Sequence, residues 1–464
     1  MSSEEAYRKH YVAVIGGSIS GSEGASLLAQ NGFRVVVFDM NKLPYGKIED
    51  GLPKWHINLR NRQIKEIDAK LAHKNIRFVP LTKIGKDISF YDLVNNWGFS
   101  AVILANGAWM DRPLPINGIE KYVDSQLVYQ NAFLNWYNHE HEPDYEGMHY
   151  PIRENTLVIG GGLASLDVIK IIMIELVKNR LKEIKGIDID MFTIEKYGID
   201  KVLSEHGLTF DDLKISKAKL AYRRTARDMP LKEPRDDSEE AKEAARDVSE
   251  KLLSKYVEKF QFEFLPLSAP VGFTESDGQL SGIRFQRTAV SNGKLQPVPD
   301  NFYEVKTDLV ISSIGSIPEQ IKGLQYEGSA LKMSESDNEC LVYGYDNIFA
   351  IGNAVTGRGN IQESKQHGKQ MTEKIIDKHL TEDAFEKWLI EHNKHIQNTV
   401  KKQIDSIVKH ISGRKLQPEN IIQAILDRTH SIHEKIGYTT YEEWVKQKTP
   451  VRMEDILENK KSYD

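Results

Sequence analysis

Two rhythms of hydrophobic and polar positions alternate through the first part of the chain. The stretches "VAVI", "FRVVVFD", "IRFVPLT" and "FSAVILANGA" are short apolar runs of the kind that form buried strands. Between them, "NRQIKEIDAKLAHKN" spaces its apolar residues as an amphipathic helix does. Strands separated by helices predict a parallel sheet with crossovers from Tyr11 to about Gly118. A polar, aromatic segment from about Lys121 to Arg153 follows, after which "NTLVIGGGLASLDVIKI" opens a second strand, glycine turn and helix. A mixed-charge helical stretch between Leu176 and Lys217 leads to the strand "KLAYRR". The run "KEPRDDSEEAKEAARDVSEKLLSKYVEKF" reads as a solvated helix. Strands return at "FQFEFLPLSAPVGF", "LSGIRFQRTAV", "TDLVISSIGS" and "NIFAIGNAV". From about Thr372 the chain is helical and polar, with a basic cluster at Lys394, Lys401, Lys402, Lys409, Arg414 and Lys415 that suits a packing or partner surface. The pattern predicts two dinucleotide-type α/β folds and no further internal repeat.

The first fold carries "VAVIGGSISGSEGA", in which Gly16 makes the tight turn and Gly21 packs helix on strand. Ser18 stands where the middle glycine is expected. It is tolerated there if its backbone stays in an allowed region and its hydroxyl points at a phosphate oxygen. Asp39 closes the next strand, 23 residues after Gly16, where an acid accepts hydrogen bonds from a ribose. Nucleotide binding is the expectation at this corner.

In the second fold, "VIGGGLAS" supplies Gly160, Gly162 and a small Ser165 in the third slot. No acid closes "KLAYRR", which ends in Arg223 and Arg224. Two guanidiniums at that edge favour a 2′-phosphate and therefore NADP(H) over NAD(H). Two alternatives stay open: a competing strand, "IDIDMFTIEK", ends in Glu195 and Lys196 and would reverse the preference, and the arginine pair could be a surface salt-bridge cluster.

Length and composition narrow the class. At 464 residues, 40% apolar and 28% charged, the chain should form two or three domains with real cores. A net charge of -5 makes no demand for nucleic acid. Cys340 is the only cysteine, which excludes an intrachain disulfide, a CxxC pair and cysteine-ligated iron-sulfur clusters, so redox chemistry must use a bound cofactor. The first residues are polar and acidic, and the most apolar helix, "VIKIIMIELV", is short and carries Lys170 and Glu175. A cytoplasmic protein without membrane segments, metal site or covalent nucleophile is expected.

The order of "VIGGSISG", "LPYGKIEDGLPKWH", "AVILANGA", "VIGGGLASLD", "YRRTARDMP", "DLVISSIGSIPE" and "IFAIGNAVTGRGNI" resembles the two-nucleotide flavoproteins that include adrenodoxin reductase and the glutamate synthase small subunit. The likeness runs from Val12 to about Ile376, and "GYTTYEEW" resembles the end of the adrenodoxin-reductase branch. It implies an FAD domain (1–150, returning at 336–375), an inserted NADPH domain (151–335) and a helical C-terminal extension (376–464). Around FAD it implies Gly16, Ser18, Gly21, Asp39, Gly46, Ala105, Gly107, Gly352, Asn353, Gly359, Asn360 and Ile361, with Gly357 also near the ring; around NADPH, Gly160, Gly162, Ser165, Arg223 and Arg224. Asn353 stands for the usual aspartate, Asn106 for a threonine and Leu163 for an asparagine. His56 matches a histidine near the flavin and Asp167 an aspartate on the second-domain helix; the resemblance implies that the two approach each other and handle protons, or else form a plain inter-domain hydrogen bond. Hydride would pass from NADPH to the flavin and electrons onward to a ferredoxin-like acceptor. The alternatives are the electron-input subunit of a glutamate synthase-like complex, and a non-catalytic flavoprotein sensor or scaffold, which Ser18, Asn106, Leu163 and Asn353 support.

Overall fold

The structure, a computed structural model, describes residues 10–232, 234–291, 293–335, 340–352, 354 and 382–461. They pack as two compact units. One takes the described residues up to Met110, those from Ser316 to Ala354 and those from Phe385 onward; the other runs from Asp111 to Gly315.

The first unit begins with β1 (Tyr11–Ile15), all of it buried, then α1 (Ile19–Gln30) and β2 (Arg34–Phe38). Helix α2 (Ile57–Leu71) turns Leu59, Gln63, Ile67 and Leu71 inward, one residue per turn, and leads to β3 (Ile76–Val79); β4 (Ala101–Leu104) follows. Helix α1 lies hard against the end of β1: a Cβ on Gly21 would sit 1.8 Å from the Gly16 carbonyl oxygen. Only glycine permits that approach.

The second unit contributes β5 (Leu127–Tyr129), α3 (Gln130–His139), β6 (Leu157–Gly160) and α4 (Leu163–Lys185). The first three turns of α4 are buried nearly all round. Its last turn carries Lys182 and Lys185 and stops at Gly186 in the left-handed region, as a cap and the helix dipole favour. Next come α5 (Met191–Tyr197), β7 (Lys219–Ala221), α6 (Glu239–Phe260) and β8 (Glu263–Leu265), then an antiparallel meander of β9 (Ser268–Ser276), β10 (Gln279–Ser291) and β11 (Lys294–Lys306), and finally β12 (Val310–Ser313). The main sheet is parallel in the order β5-β12-β6-β7-β8. Helix α6 is the solvated helix that its charge pattern predicts, with only a narrow buried stripe.

The chain then returns to the first unit with β13 (Ile348–Ala350), which pairs with β4 and completes a parallel sheet in the order β13-β4-β1-β2-β3. Three long or well-capped helices close it: α7 (Glu382–Ser412), α8 (Glu419–Ile436) and α9 (Tyr441–Lys448), with α10 (Met453–Lys461) at the end.

Two sequence expectations change. The segment from Asp111 to Tyr150, grouped above with the first domain, packs in the second unit, because β5 pairs with β12 and forms that sheet's edge. The helical C-terminal region is present as expected and packs on the first unit: Val400, Ile404, Ile407 and Ile411 of α7, with Tyr441 and Trp444 of α9, share one core with Val12, Val14, Val35 and Val37. The exposed face of α7 keeps Lys394, Lys401, Lys402 and Lys409 in solvent. Finally, "IDIDMFTIEK" is no strand. Asp190 caps α5 by accepting from the Thr193 amide at 2.9 Å, and Met191, Ile194 and Glu195 turn inward at helical spacing.

Replacing Gly21 by alanine should force α1 off the glycine turn and lower stability by about 1–3 kcal/mol, measured by urea unfolding; an unchanged midpoint would show that the contact relaxes freely.

Candidate functional site

In each unit a glycine-rich strand-to-helix corner lies at the carboxyl edge of the parallel sheet. That is where open α/β sheets bind ligands.

In the first unit, backbone hydrogen bonds hold the corner together. The Gly16 amide donates to the Phe38 carbonyl at 2.8 Å, Ala105 to Ile15 at 2.8 Å, and Ile351 to Leu104 at 2.9 Å. These bonds bring the ends of β1, β2, β4 and β13 together, and with them Gly16, Asp39, Ala105, Gly107 and Gly352. A Cβ on Gly352 would meet the Ser20 hydroxyl at 2.2 Å, whereas one on Gly107 would meet nothing within 4 Å. The turn is therefore packed on one side and open on another. The first amides of α1 face the open edge and suit a diphosphate.

Asp39 is buried. Its two oxygens accept from the Gly17 amide at 2.8 Å and the Asn41 amide at 2.9 Å. Burial pushes its carboxyl up to about 6, the two amides pull it back, and Asp50 adds a smaller upward push. Ser18 has an extended, allowed backbone, but its hydroxyl donates to the Tyr45 carbonyl at 3.0 Å. That bond ties the glycine turn to the loop that carries Gly46. His56 caps the start of α2 and is buried, and the Trp55 indole donates to its Nε2 at 3.1 Å. Asn353, Gly357, Gly359, Asn360 and Ile361 lie outside the described residues.

In the second unit, Gly162 caps α4, and a Cβ there would meet nothing within 4 Å. Ser165 is buried and donates to the Gly162 carbonyl at 2.6 Å. Gly160 lies against β12, where a Cβ would sit 2.4 Å from the Ser313 carbonyl oxygen. Strand β7 is the parallel neighbour of β6, so Arg223 and Arg224 leave the sheet beside the glycine turn. Arg224 donates to the Gly293 carbonyl at 3.2 Å, Arg223 is exposed, and among the described residues neither has a carboxylate partner. The salt-bridge reading of this pair therefore gives way. Arg227 does form such a cluster, with Glu243 and Asp247 of α6 at 2.7 and 2.5 Å.

Glu195 also leaves the ribose question, since it sits inside α5, 3.0 Å from the buried Lys170 ammonium. Asp167 is 3.8 Å from the same ammonium. Burial pushes Lys170 toward neutrality, but Glu195, Tyr256 and Asp167 outweigh it and hold its pKa above the ordinary lysine value. His56 belongs to the first unit and Asp167 to the second.

Sequence reasoning passed over Tyr222. Its ring lies over the turn so closely that a Cβ on Gly161 would come within 2.1 Å of it. Its place between a strand and two arginines gave a hint, but only the pairing of β6 with β7 brings it to the glycines. Among the described residues no group of acidic, histidine and cysteine side chains is arranged to hold a metal, and no helix is long and apolar enough to cross a membrane.

The sheets and corners together define a two-unit dinucleotide-binding α/β protein. The chain shares that fold, over 92% of its length and 91% of the other's, with FprA from Mycobacterium tuberculosis in complex with NADPH, at a TM-score of 0.64 and 18% identity. In sequence it is 30% identical over 163 residues to a probable ferredoxin/ferredoxin–NADP reductase of Mycobacterium bovis, covering 35% of this chain and 27% of that protein. It is 24% identical over 380 residues to the glutamate synthase [NADPH] small chain of M. tuberculosis, covering 80% of this chain and 66% of that one. The chain spans about a quarter of the length of the reductases it matches first. No family model matches it. The likeness expected from the motifs, to adrenodoxin reductase and the glutamate synthase small subunit, holds: the chain is also 27% identical over 169 residues to a probable NADPH:adrenodoxin oxidoreductase of Schizosaccharomyces pombe, covering 35% of this chain and 34% of that one.

The state of Asp39 yields a pH test. A carboxyl whose pKa rises on folding, here from 3.8 to about 6, holds its proton more tightly in the folded state. Its contribution is present at low pH and lost as pH rises through about 6. In ligand-free protein, wild type should therefore gain about 1 kcal/mol over Asp39→Asn between pH 7 and pH 5, read by urea unfolding at both pH values; a constant difference would show that Asp39 ionises normally.

Proposed function

We propose that this chain is a reductase that binds FAD at the first corner and NADPH at the second, and passes electrons to a ferredoxin-like protein. The observation that carries the reading is the contrast between the corners: a buried acid follows the strand beside one glycine turn, and two guanidiniums with no carboxylate partner among the described residues follow the strand beside the other. An acid suits a ribose with free hydroxyls, and an arginine pair suits a ribose carrying a phosphate. The names of the relatives support the same direction, and a cytoplasmic setting belongs to the same proposal.

The residues present fit both dinucleotides. Gly107 and Gly162 leave open space where a Cβ would stand, and the amides that begin α1 and α4 supply donors for diphosphates. When bound, FAD supplies hydride-accepting and single-electron chemistry that no side chain here offers. The protein's part is positioning. Asp39 accepts from ribose hydroxyls, Arg223 and Arg224 hold the 2′-phosphate, and Tyr222 closes one side of the second turn. His56 is the candidate for moving a proton. With Trp55 donating to Nε2, its neutral ring carries the proton on Nδ1. Asp167, on α4 of the second unit, remains a proposed catalytic residue, and Gly359, Asn360 and Ile361 complete the proposed flavin contacts.

The test is anaerobic mixing of the purified yellow protein with NADPH: the flavin band should bleach promptly, and a colourless protein that takes up no FAD would end the proposal. Replacing Arg223 and Arg224 by alanine should raise the KM for NADPH by about 10- to 100-fold and leave that for NADH unchanged in steady-state assays; equal losses with both would remove the 2′-phosphate role. His56→Ala should slow flavin reduction about a hundredfold at unchanged FAD content in stopped-flow measurements, and an unchanged rate would leave His56 a structural cap.

A further inference from the structure

The loop from Lys42 to Arg60 carries Gly46 and His56, yet much of what holds it comes from the last thirty residues of the chain. The Trp444 indole of α9 donates to the Lys42 carbonyl at 2.6 Å. The Tyr441 hydroxyl donates to Asp68 at 2.7 Å, and the same carboxylate accepts from Tyr45 at 3.0 Å. Tyr45 in turn receives the Ser18 hydroxyl on its carbonyl, which links this network to the glycine turn. Beyond α9, Arg452 grips Glu49 through both guanidinium nitrogens, with Nη2 at 2.8 Å from Oε2. Two residues on, Glu454 pairs with Arg60. All four of these side chains are largely buried.

The pattern of charge is reciprocal. The loop offers an acid at Glu49 and a base at Arg60; the tail offers a base at Arg452 and an acid at Glu454. Two crossed pairs fix register as well as contact, because sliding the tail by one residue breaks both. Aromatic packing anchors α9 on the sheet that the segment adjoins: Tyr441 meets Phe78 of β3 edge-on at 5.5 Å.

We infer that Trp444, Arg452 and Glu454 are positioning residues for the first dinucleotide corner, setting how tightly FAD is retained by holding the Lys42–Arg60 segment, which carries His56, against Ser18 of the glycine turn. The inference rests on the FAD reading proposed above. Hydrogen–deuterium exchange is measured over residues 42–60 in the protein as purified and after flavin removal, with β1 as the folding control, and the FAD Kd is titrated on the flavin-free protein.

In Arg452→Gln the loop amides should exchange about tenfold faster and the FAD Kd should rise about tenfold, while β1 stays protected. Arg452→Lys should restore part of both effects, and exchanging the charges, Glu49→Arg with Arg452→Glu, should restore more than either single reversal. Trp444→Phe removes a single hydrogen bond; it keeps the test decisive if an arginine variant unfolds. Loop exchange equal to wild type in Arg452→Gln and Trp444→Phe would overturn the inference. So would faster exchange with an unchanged FAD Kd. If wild type takes up no FAD at any concentration, the cofactor assignment itself fails, and the flavin-retention role fails with it even where loop exchange shows that the tail clasps the loop.

Discussion

The approach of α1 to the end of β1 is the contact on which the first unit depends. With no side chain on Gly21, the helix starts directly on the Gly16 carbonyl, so its first amides open onto the carboxyl edge of the sheet. Beyond the paired strands, backbone bonds from Gly16 to Phe38 and from Ala105 to Ile15 extend the ladders into the corner. A bulkier residue at the corner would separate the helix from the sheet and remove the donors and the ends of β2 and β4 together. The second unit uses the same device with different packing. Gly160 lies against β12, and Ser165 closes back on Gly162.

What distinguishes the corners is the strand beside each. A buried acid just after β2 and two guanidiniums after β7, one of them exposed, give two like scaffolds opposite electrostatic endings. Asp39 is held in place by two amides at the cost of losing water, which is why its carboxyl resists ionisation. Arg223 remains in solvent, where a guanidinium is stable without a partner.

Much of this was legible in the sequence because glycine turns, apolar runs and strand-end charges are local signals. The parallel sheets, the two corners, Asp39 and the arginine pair all follow from residues within a few positions of one another. What escaped detection depends on distant partners. The Ser18 hydroxyl finds its acceptor on the Tyr45 carbonyl. "IDIDMFTIEK" has the alternation of a strand over its first residues, and a side-chain cap at Asp190 starts a helix instead. The polar look of α7 hid its stripe of Val400, Ile404, Ile407 and Ile411, which only the sheet of the first unit makes into core. The Arg452–Glu49 pair joins residues roughly four hundred positions apart, and nothing in either neighbourhood announces the other.

The order of the chain sets an order of assembly. Every described strand of the second unit's main sheet is made before residue 316, whereas the sheet of the first unit lacks β13 until about residue 350 and its covering helices until after residue 380. As the polypeptide leaves the ribosome, the later-starting unit can therefore close first, while the exposed apolar faces of β1 to β4 wait for partners some three hundred residues downstream.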